Sequence, residues 1–405
     1  MKQIVKIVFC FFVLLSSACT LKDIKDQTEV IENAVSISGT VDRKVDVDGQ
    51  IFVKAFLKHD LSAEYFDQSA VHGDGSFNLT TYPGEILLTA YIDVNGNQKF
   101  DADEPAAHLS ESGQQTSTLQ LSPGQTLKNQ RIVITGEPFE FNDYVISNGV
   151  STLRENLGKV VNINDPMFGR DNANMRLWRP MEFVEEVGGG LLLLEDYAPE
   201  KTPVLFIHGI GGTPLEFKPA IEALDTSRYQ AWVFFYPSGV RLDIVSNYLL
   251  SAMEQLHSKY EFDDIALVAH SMGGLMSRSF LMKHQETLSA YNISKHVTIN
   301  SPIYGMSSAN AGVEYSPVVI PVWRDVASDS EFVQRVSAWH MPDAIDYHLF
   351  FSYYGDENGD GVVPLNSQLS LSLQQEASKI YGFNAQHAEI LRHEKFITEL
   401  MHILE

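Results

Sequence analysis

The sequence predicts two parts in series, a small all-β sandwich and then a larger α/β unit built on a mostly parallel sheet. Three observations carry that expectation. Residues 35–136 alternate apolar and polar positions between turns marked by glycine and proline, as half-buried strands do. From Val204 onward, short apolar runs alternate with stretches of helical period, the rhythm of strand, crossover helix and strand. Within this second part, the apolar run Ile265 to Val268 meets the small-residue corner Ala269-His270-Ser271-Met272-Gly273-Gly274, and Leu275 to Lys283 then reads as a helix. A chain of 405 residues is long enough for both parts.

The N-terminus carries Lys2 and Lys6, an apolar run from Ile7 to Leu15 and small residues up to Ala18, the layout of a secretory signal over residues 1–18. Its apolar part is far short of the ~20 residues that cross a bilayer as a helix. Cys19, directly after a small residue, resembles the modified cysteine of bacterial lipoproteins, although Ser16 stands where such signals most often have leucine. That resemblance implies lipid attachment at Cys19 and a membrane anchor in the bacterial cell envelope. Thr20, rather than aspartate, implies the outer membrane. Ordinary cleavage near Ala18, giving a secreted protein, is the alternative. Cys10 and Cys19 are the only cysteines, so an exported chain has no disulfide. The 29 basic and 52 acidic residues give a net charge of −23, and loss of Lys2 and Lys6 deepens it to −25. Such a surface repels phosphate backbones and excludes nucleic-acid binding.

Residues 19–34 are polar without a clear period and are expected as a tether. The sandwich that follows should have about seven strands, among them Ile51 to Phe56, Ile86 to Tyr91 and Ile132 to Ile134. Its segments Ser38-Gly39-Thr40-Val41 and Gly73 to Phe77 loosely resemble prealbumin-like repeats of exported bacterial proteins. In the loop Asp93 to Glu104, oxygen-bearing Asp93, Asn95, Asn97, Asp101 and Glu104 fall at positions 1, 3, 5, 9 and 12, near the spacing of a calcium loop. Gln98 occupies the position where such loops want glycine, so a metal-free turn closed by Asx side chains is the competing expectation to a structural Ca²⁺.

Residues 137–405 are expected as one domain. In its first part Val160 to Ile163 and Leu191 to Leu194 read as strands, Gly188-Gly189-Gly190 as a hairpin, and Trp178 and Phe183 as residues needing burial. Then come strands at Val204 to His208, Trp232 to Tyr236, Ile265 to Ala269, His296 to Asn300 and His348 to Tyr354, with a helix over Leu242 to Tyr260. Ligands in such sheets bind beyond the carboxyl ends of the strands.

A serine hydroxyl reacts as a nucleophile when a turn lifts it clear of the sheet, beside a base and facing N–H donors. The corner at Ser271 has that form. With His208-Gly209-Ile210-Gly211-Gly212 ending an earlier strand and Asn300-Ser301-Pro302-Ile303-Tyr304-Gly305 ending a later one, the last 200 or so residues resemble lipases and esterases of the α/β-hydrolase superfamily. Ala269 replaces the usual first glycine of the elbow. The alternative for the His208 to Gly212 loop, a phosphate loop, lacks the lysine it needs.

The resemblance implies Ser271 as nucleophile and the amides of Ile210 and Met272 as oxyanion donors. In many members of that superfamily the acid precedes a Val-Pro pair as D-x-x-V-P, so the resemblance implies Asp360, with Asp356 as runner-up, and the superfamily's order Ser, Asp, His implies His387 as the base. His270 is expected to pack under the elbow. The implied reaction is cleavage of carboxylic esters, of lipid or acyl type, through an acyl-enzyme, with no catalytic cofactor and a monomeric chain. Residues 309–347 form a long excursion, read equally as a lid over an acyl pocket or as plain core closure. Acyl transfer or thioester cleavage uses the same acyl-enzyme. A surface binding protein with an inert second domain is the rival class.

Overall fold

The computed structural model describes residues 18–57, 68–101, 103–109, 118–136, 156–355 and 358–405. The signal up to Ser17, the side chain of Cys19, the segment 137–155 and Asp356 lie outside the described residues. Among the described residues no helix is long and apolar enough to cross a membrane.

The expected tether is helix α1, Ala18–Glu32. Its sparse apolar residues Leu21, Ile24 and Ile31 are spaced for one helix face, a period masked by the many charges between them. Ile31 is buried in the core of the second domain, with Ile24 packed beside it. Gln27 Oε1 accepts hydrogen bonds from Met181 N at 3.0 Å and Glu182 N at 3.3 Å, and Glu32 pairs with Arg324 and Arg241. Burial of Ile31 alone is worth about 1.5–3 kcal/mol, enough to hold one turn in place.

Among the described residues the sandwich has eight strands: β1 (Val35–Arg43), β2 (Gln50–Leu57), β3 (Gln68–Ala70), β4 (Ser76–Thr81), β5 (Gly84–Asp93), β6 (Ala106–His108), β7 (Leu119–Leu121) and β8 (Thr126–Ile134). One sheet runs β4-β1-β8 and the other β3-β2-β5-β6, with β7 on β5. Their inner faces meet in one core, Ile37, Phe77, Leu79 and Ile132 from the first against Val53, Ile86, Leu88 and Ile92 from the second. The expected calcium loop after β5 is closed by its own donors. Asp93 Oδ1 and Oδ2 accept from Asn97 N (3.1 Å) and Gln98 N (2.9 Å), Asp101 Oδ2 accepts from Asn95 and Asn97, and Glu104 accepts from Val94 N and Asp101 N. Gln98 adopts the left-handed conformation, φ 60°, that the turn demands. Among the described residues no group of three or more His, Cys, Asp or Glu is placed to hold a metal ion.

Helices α2 (Arg170–Trp178) and α3 (Pro180–Glu186) lead into the second domain. Gly188 to Gly190 then turns the chain from α3 into a strand, and is not the hairpin expected. Val160 makes only an isolated bridge to Leu193, because the chain leaves the sheet edge at once for a short 3-10 turn at Pro166–Phe168. Phe183 is buried, whereas Trp178 stays 40% exposed.

Seven strands follow: β9 (Gly190–Leu193), β10 (Thr202–Ile207), β11 (Tyr229–Phe235), β12 (Asp264–His270), β13 (Asn292–Ile299), β14 (Asp346–Tyr353) and β15 (Lys379–Asn384). They lie in the order β15-β14-β13-β12-β10-β11-β9, all parallel except β9. Alternate residues feed two cores, Leu205, Ile207, Trp232 and Leu267 on one face and Val204, Phe206, Val233 and Val268 on the other. The connecting helices are α4 (Lys218–Glu222), α5 (Leu242–Tyr260), α6 (Met272–Glu286), α7 (Ser307–Tyr315), α8 (Pro321–Val326), α9 (Glu331–Ala338), α10 (Leu365–Gln368), α11 (Leu371–Glu376) and α12 (Glu394–Leu404). After β10 the chain goes to β11 on one side and returns to β12 on the other, so a crevice opens where the loops leaving β10 and β12 part. The sandwich docks on α5 at the back, where Ala70 N donates to Ser251 Oγ at 2.9 Å.

Candidate active site

Ser271 sits at the end of β12 with φ 54° and ψ −130°, a conformation that costs a non-glycine residue about 1–3 kcal/mol. The surroundings hold it there. A Cβ at Gly273 would lie 2.5 Å from Ile207 O, and one at Gly274 2.1 Å from Ser301 Oγ, so only glycine lets α6 start this close to β10 and to the turn after β13.

The Ser271 hydroxyl donates to His387 Nε2 at 2.9 Å, and His387 Nδ1–H donates to Asp360 Oδ2 at 2.7 Å. Asp360 is buried, and its other oxygen accepts from Val362 N (2.9 Å) and Val363 N (2.7 Å), while Gln368 Nε2 donates to Oδ2 at 3.2 Å. The main chain of His387 is fixed at both ends. Its N–H donates to Asp360 O at 3.0 Å, and its carbonyl accepts from Asn300 Nδ2 at 2.9 Å. Burial pulls the His387 pKa below its ordinary value; the bond from Asp360 opposes this and neighbouring His270 adds to it. A neutral imidazole is thereby favoured, as a proton acceptor must be.

The Gly209–Gly212 loop lies against the hydroxyl, since a Cβ at Gly209 would come within 3.1 Å of Ser271 Oγ. A buried chain of donors orients it. Arg176 Nη1, on α2, donates to His208 Nε2 at 2.8 Å and to Tyr236 O at 2.9 Å; His208 Nδ1–H donates to Gly209 O at 2.9 Å; Tyr236 OH donates to His208 O at 2.8 Å. Burial and the Arg176 charge hold His208 well below its ordinary pKa, so its ring is neutral and can accept from one side and donate on the other. Burial also lowers Arg176 to about 10. Because a trans peptide sets C=O and N–H in opposite senses, tying Gly209 O toward His208 turns the Ile210 N–H away from it. Met272 opens α6, where the first N–H groups have no partner within the helix.

These parts border a cavity of about 500 Å³, walled by Met306, Ala309, Gly312, Trp323, Val326, Pro302 and Val362. The expected lid region divides. Helix α8 is tied down by Asp325, which accepts from Arg241 Nε at 2.8 Å and Leu242 N at 2.6 Å, and α9 by Arg278 Nε donating to Val336 O at 3.0 Å. Helix α7 lines the cavity yet buries none of its residues.

The structure brings Ser271, Asp360 and His387 together, with Ile210 and Met272 beside them. His270, expected to pack under the elbow, is buried at the border of the cavity, with its ring 4.8 Å from that of His387 and Nε2 3.1 Å from the His387 carbonyl oxygen. Arg176, Gln368 and Glu216 escaped the sequence reading.

Residues 240–404 match the family profile described as "Alpha/beta hydrolase of unknown function (DUF915)". The second domain has the α/β-hydrolase fold. Among solved structures, the chain is similar to a Listeria innocua gene product, lin2722, at 17% identity, over 51% of this chain and 94% of that one with a TM-score of 0.40. It is also similar to the Bacillus licheniformis lipase BlEst2 in mature form, at 16% identity over 52% and 94% with a TM-score of 0.41. A third is lipase B of Aspergillus fumigatus, at 16% identity over 49% and 48% with a TM-score of 0.35. No curated protein matches the chain.

Proposed function

We propose that the chain is a serine hydrolase that cleaves carboxylic esters of acyl or lipid type through an acyl-enzyme. The observation that carries this is the unbroken series of hydrogen bonds from Asp360 through His387 to Ser271 at the floor of an apolar cavity. In the reaction His387 takes the Ser271 proton as the hydroxyl attacks the ester carbonyl, and Asp360 holds the imidazole in the tautomer with its proton on Nδ1. The amides of Ile210 and Met272 receive the developing oxyanion. The alkoxide leaves with the proton from His387, and water, deprotonated by the same imidazole, releases the acid. The apolar wall suits an acyl chain, and α7 is the segment that covers it. Cys19 is the attachment point of a lipid that keeps the chain at the outer membrane of a bacterial envelope.

Hydrolysis of nitrophenyl esters of graded chain length, wild type beside Ser271→Ala, tests the reaction. Turnover by the wild type alone is expected, and equal turnover by both would overturn the reading. Cys19→Ser should move the protein from the membrane pellet to the soluble fraction.

A further inference from the structure

The cavity holds a second carboxylate and a second imidazole that this chemistry does not use. Glu216 lies on the 3-10 turn Pro214–Phe217, just after the Gly209–Gly212 loop, and its Oε2 faces His270 Nδ1 at 3.5 Å. Both atoms are buried and neither has a hydrogen-bond partner. The other ring nitrogen of His270, Nε2, lies 3.1 Å from the carbonyl oxygen of His387.

A carbonyl only accepts, so Nε2 carries a proton. In a neutral ring that leaves Nδ1 as a bare lone pair aimed at a carboxylate oxygen, two acceptors face to face out of reach of water. One added proton resolves the conflict, either on Nδ1 or on Oε2. Charge leads to the same result. Around the pair stand Arg176, His208 and Tyr236 on one side and His387 with Asp360 on the other. With Arg176 positive, Glu216 and Asp360 negative and both His208 and His387 neutral, the added proton brings the cluster to zero.

We propose that Glu216 and His270 share one proton and together form a positioning device for His387, holding its main-chain carbonyl through Nε2–H. The proposal rests on the reading of Ser271, His387 and Asp360 as the catalytic groups. Glu216 touches no reacting atom in this account; it fixes the protonation of His270, and His270 fixes the loop that carries the base. Without it the carbonyl keeps Asn300 alone.

The test uses the full chain with nitrogen-labelled histidine rings, as wild type, Glu216→Gln and Glu216→Ala, with His270→Gln to assign the ring signals. In the wild type a proton bonded to or bridging His270 Nδ1 is expected in the NMR spectrum at neutral pH, and it should be absent in Glu216→Ala. On a short-chain nitrophenyl ester, Glu216→Ala should lower kcat by up to about 10²-fold with KM little moved, the size of effect that misplacement of a catalytic group produces. Glu216→Gln should recover most of that loss, because its amide N–H can satisfy Nδ1 while Nε2–H stays on the carbonyl. A bare Nδ1 in the wild type, or wild-type kcat in Glu216→Ala, overturns the proposal. A fluorophosphonate label separates the two readings: a labelled Ser271 with a bare Nδ1 removes the shared proton alone, and an unlabelled Ser271 removes the catalytic role on which the positioning depends.

Discussion

Asp93 and Asp360 each stand in a turn rich in aspartate, asparagine and glycine, and each uses its carboxylate to gather backbone N–H groups from residues just ahead. In the sandwich, both oxygens of Asp93 are taken up locally, by Asn97 and Gln98. In the hydrolase domain, Val362 and Val363 engage only Oδ1 of Asp360, and Oδ2 remains for Gln368 and for His387, 27 residues away. Composition does not separate the two turns. What separates them is whether one oxygen is left over for a distant partner, and that depends on strands β14 and β15 lying side by side.

The largest effect expected on the hydrolase side is from the partners of that spare oxygen. Ser271→Ala or His387→Ala should reduce ester turnover by as much as ~10⁶, without lowering the denaturation midpoint. Near-normal turnover in either would dissolve the contrast between the two turns. Asp360→Asn should reduce kcat by about 10⁴, since an amide in place of Oδ2 favours the wrong imidazole tautomer. Asp93→Asn, by contrast, should leave kcat unchanged and cost about 1–3 kcal/mol of stability in urea unfolding, because an N–H donor would face N–H donors. Loss of activity from Asp93→Asn would show that the sandwich turn reaches the site after all.

The smallest effect lies in the pH profile. His387 titrates below the ordinary histidine value of 6.5, so the acid limb of kcat/KM should fall below that pH, with the neutral base persisting into mildly acidic solution. Removing the Asp360 charge takes away the influence that raises this pKa. In Asp360→Asn the residual activity should therefore hold to a still lower pH, while Asp93→Asn keeps the wild-type limb.

Local chemistry made much of this legible in advance. Ser271, its two following glycines and the Val363-Pro364 pair after Asp360 sit in short motifs whose spacing is set by one turn of chain, and α5 was readable because Val245, Leu249, Met253 and Leu256 all face one core. Residues that act across the sheet were not. Arg176 reaches His208, 32 residues away, and Glu216 faces His270 only after β10 and β12 are assembled, whereas Gln368, only 8 residues past Asp360, turns back onto it through the short helix α10 and carries no motif that marks it. Helix α1 was missed for a different reason: a short apolar stripe in a charged segment carries too weak a period to stand out until its partner face is known. Strand β15 exposes Lys379, Ile380 and Gly382 at the sheet edge, which blurs the apolar run that marks its neighbours.

The docking of α1 has a mechanical consequence. Glu32, its last residue, pairs with Arg324, and the next residue back along α8 is Trp323, part of the cavity wall. A pull on the amino end of the chain would load α1 along its own axis, shear Ile31 against the core and arrive, through the Glu32–Arg324 ion pair, at the wall of the cavity.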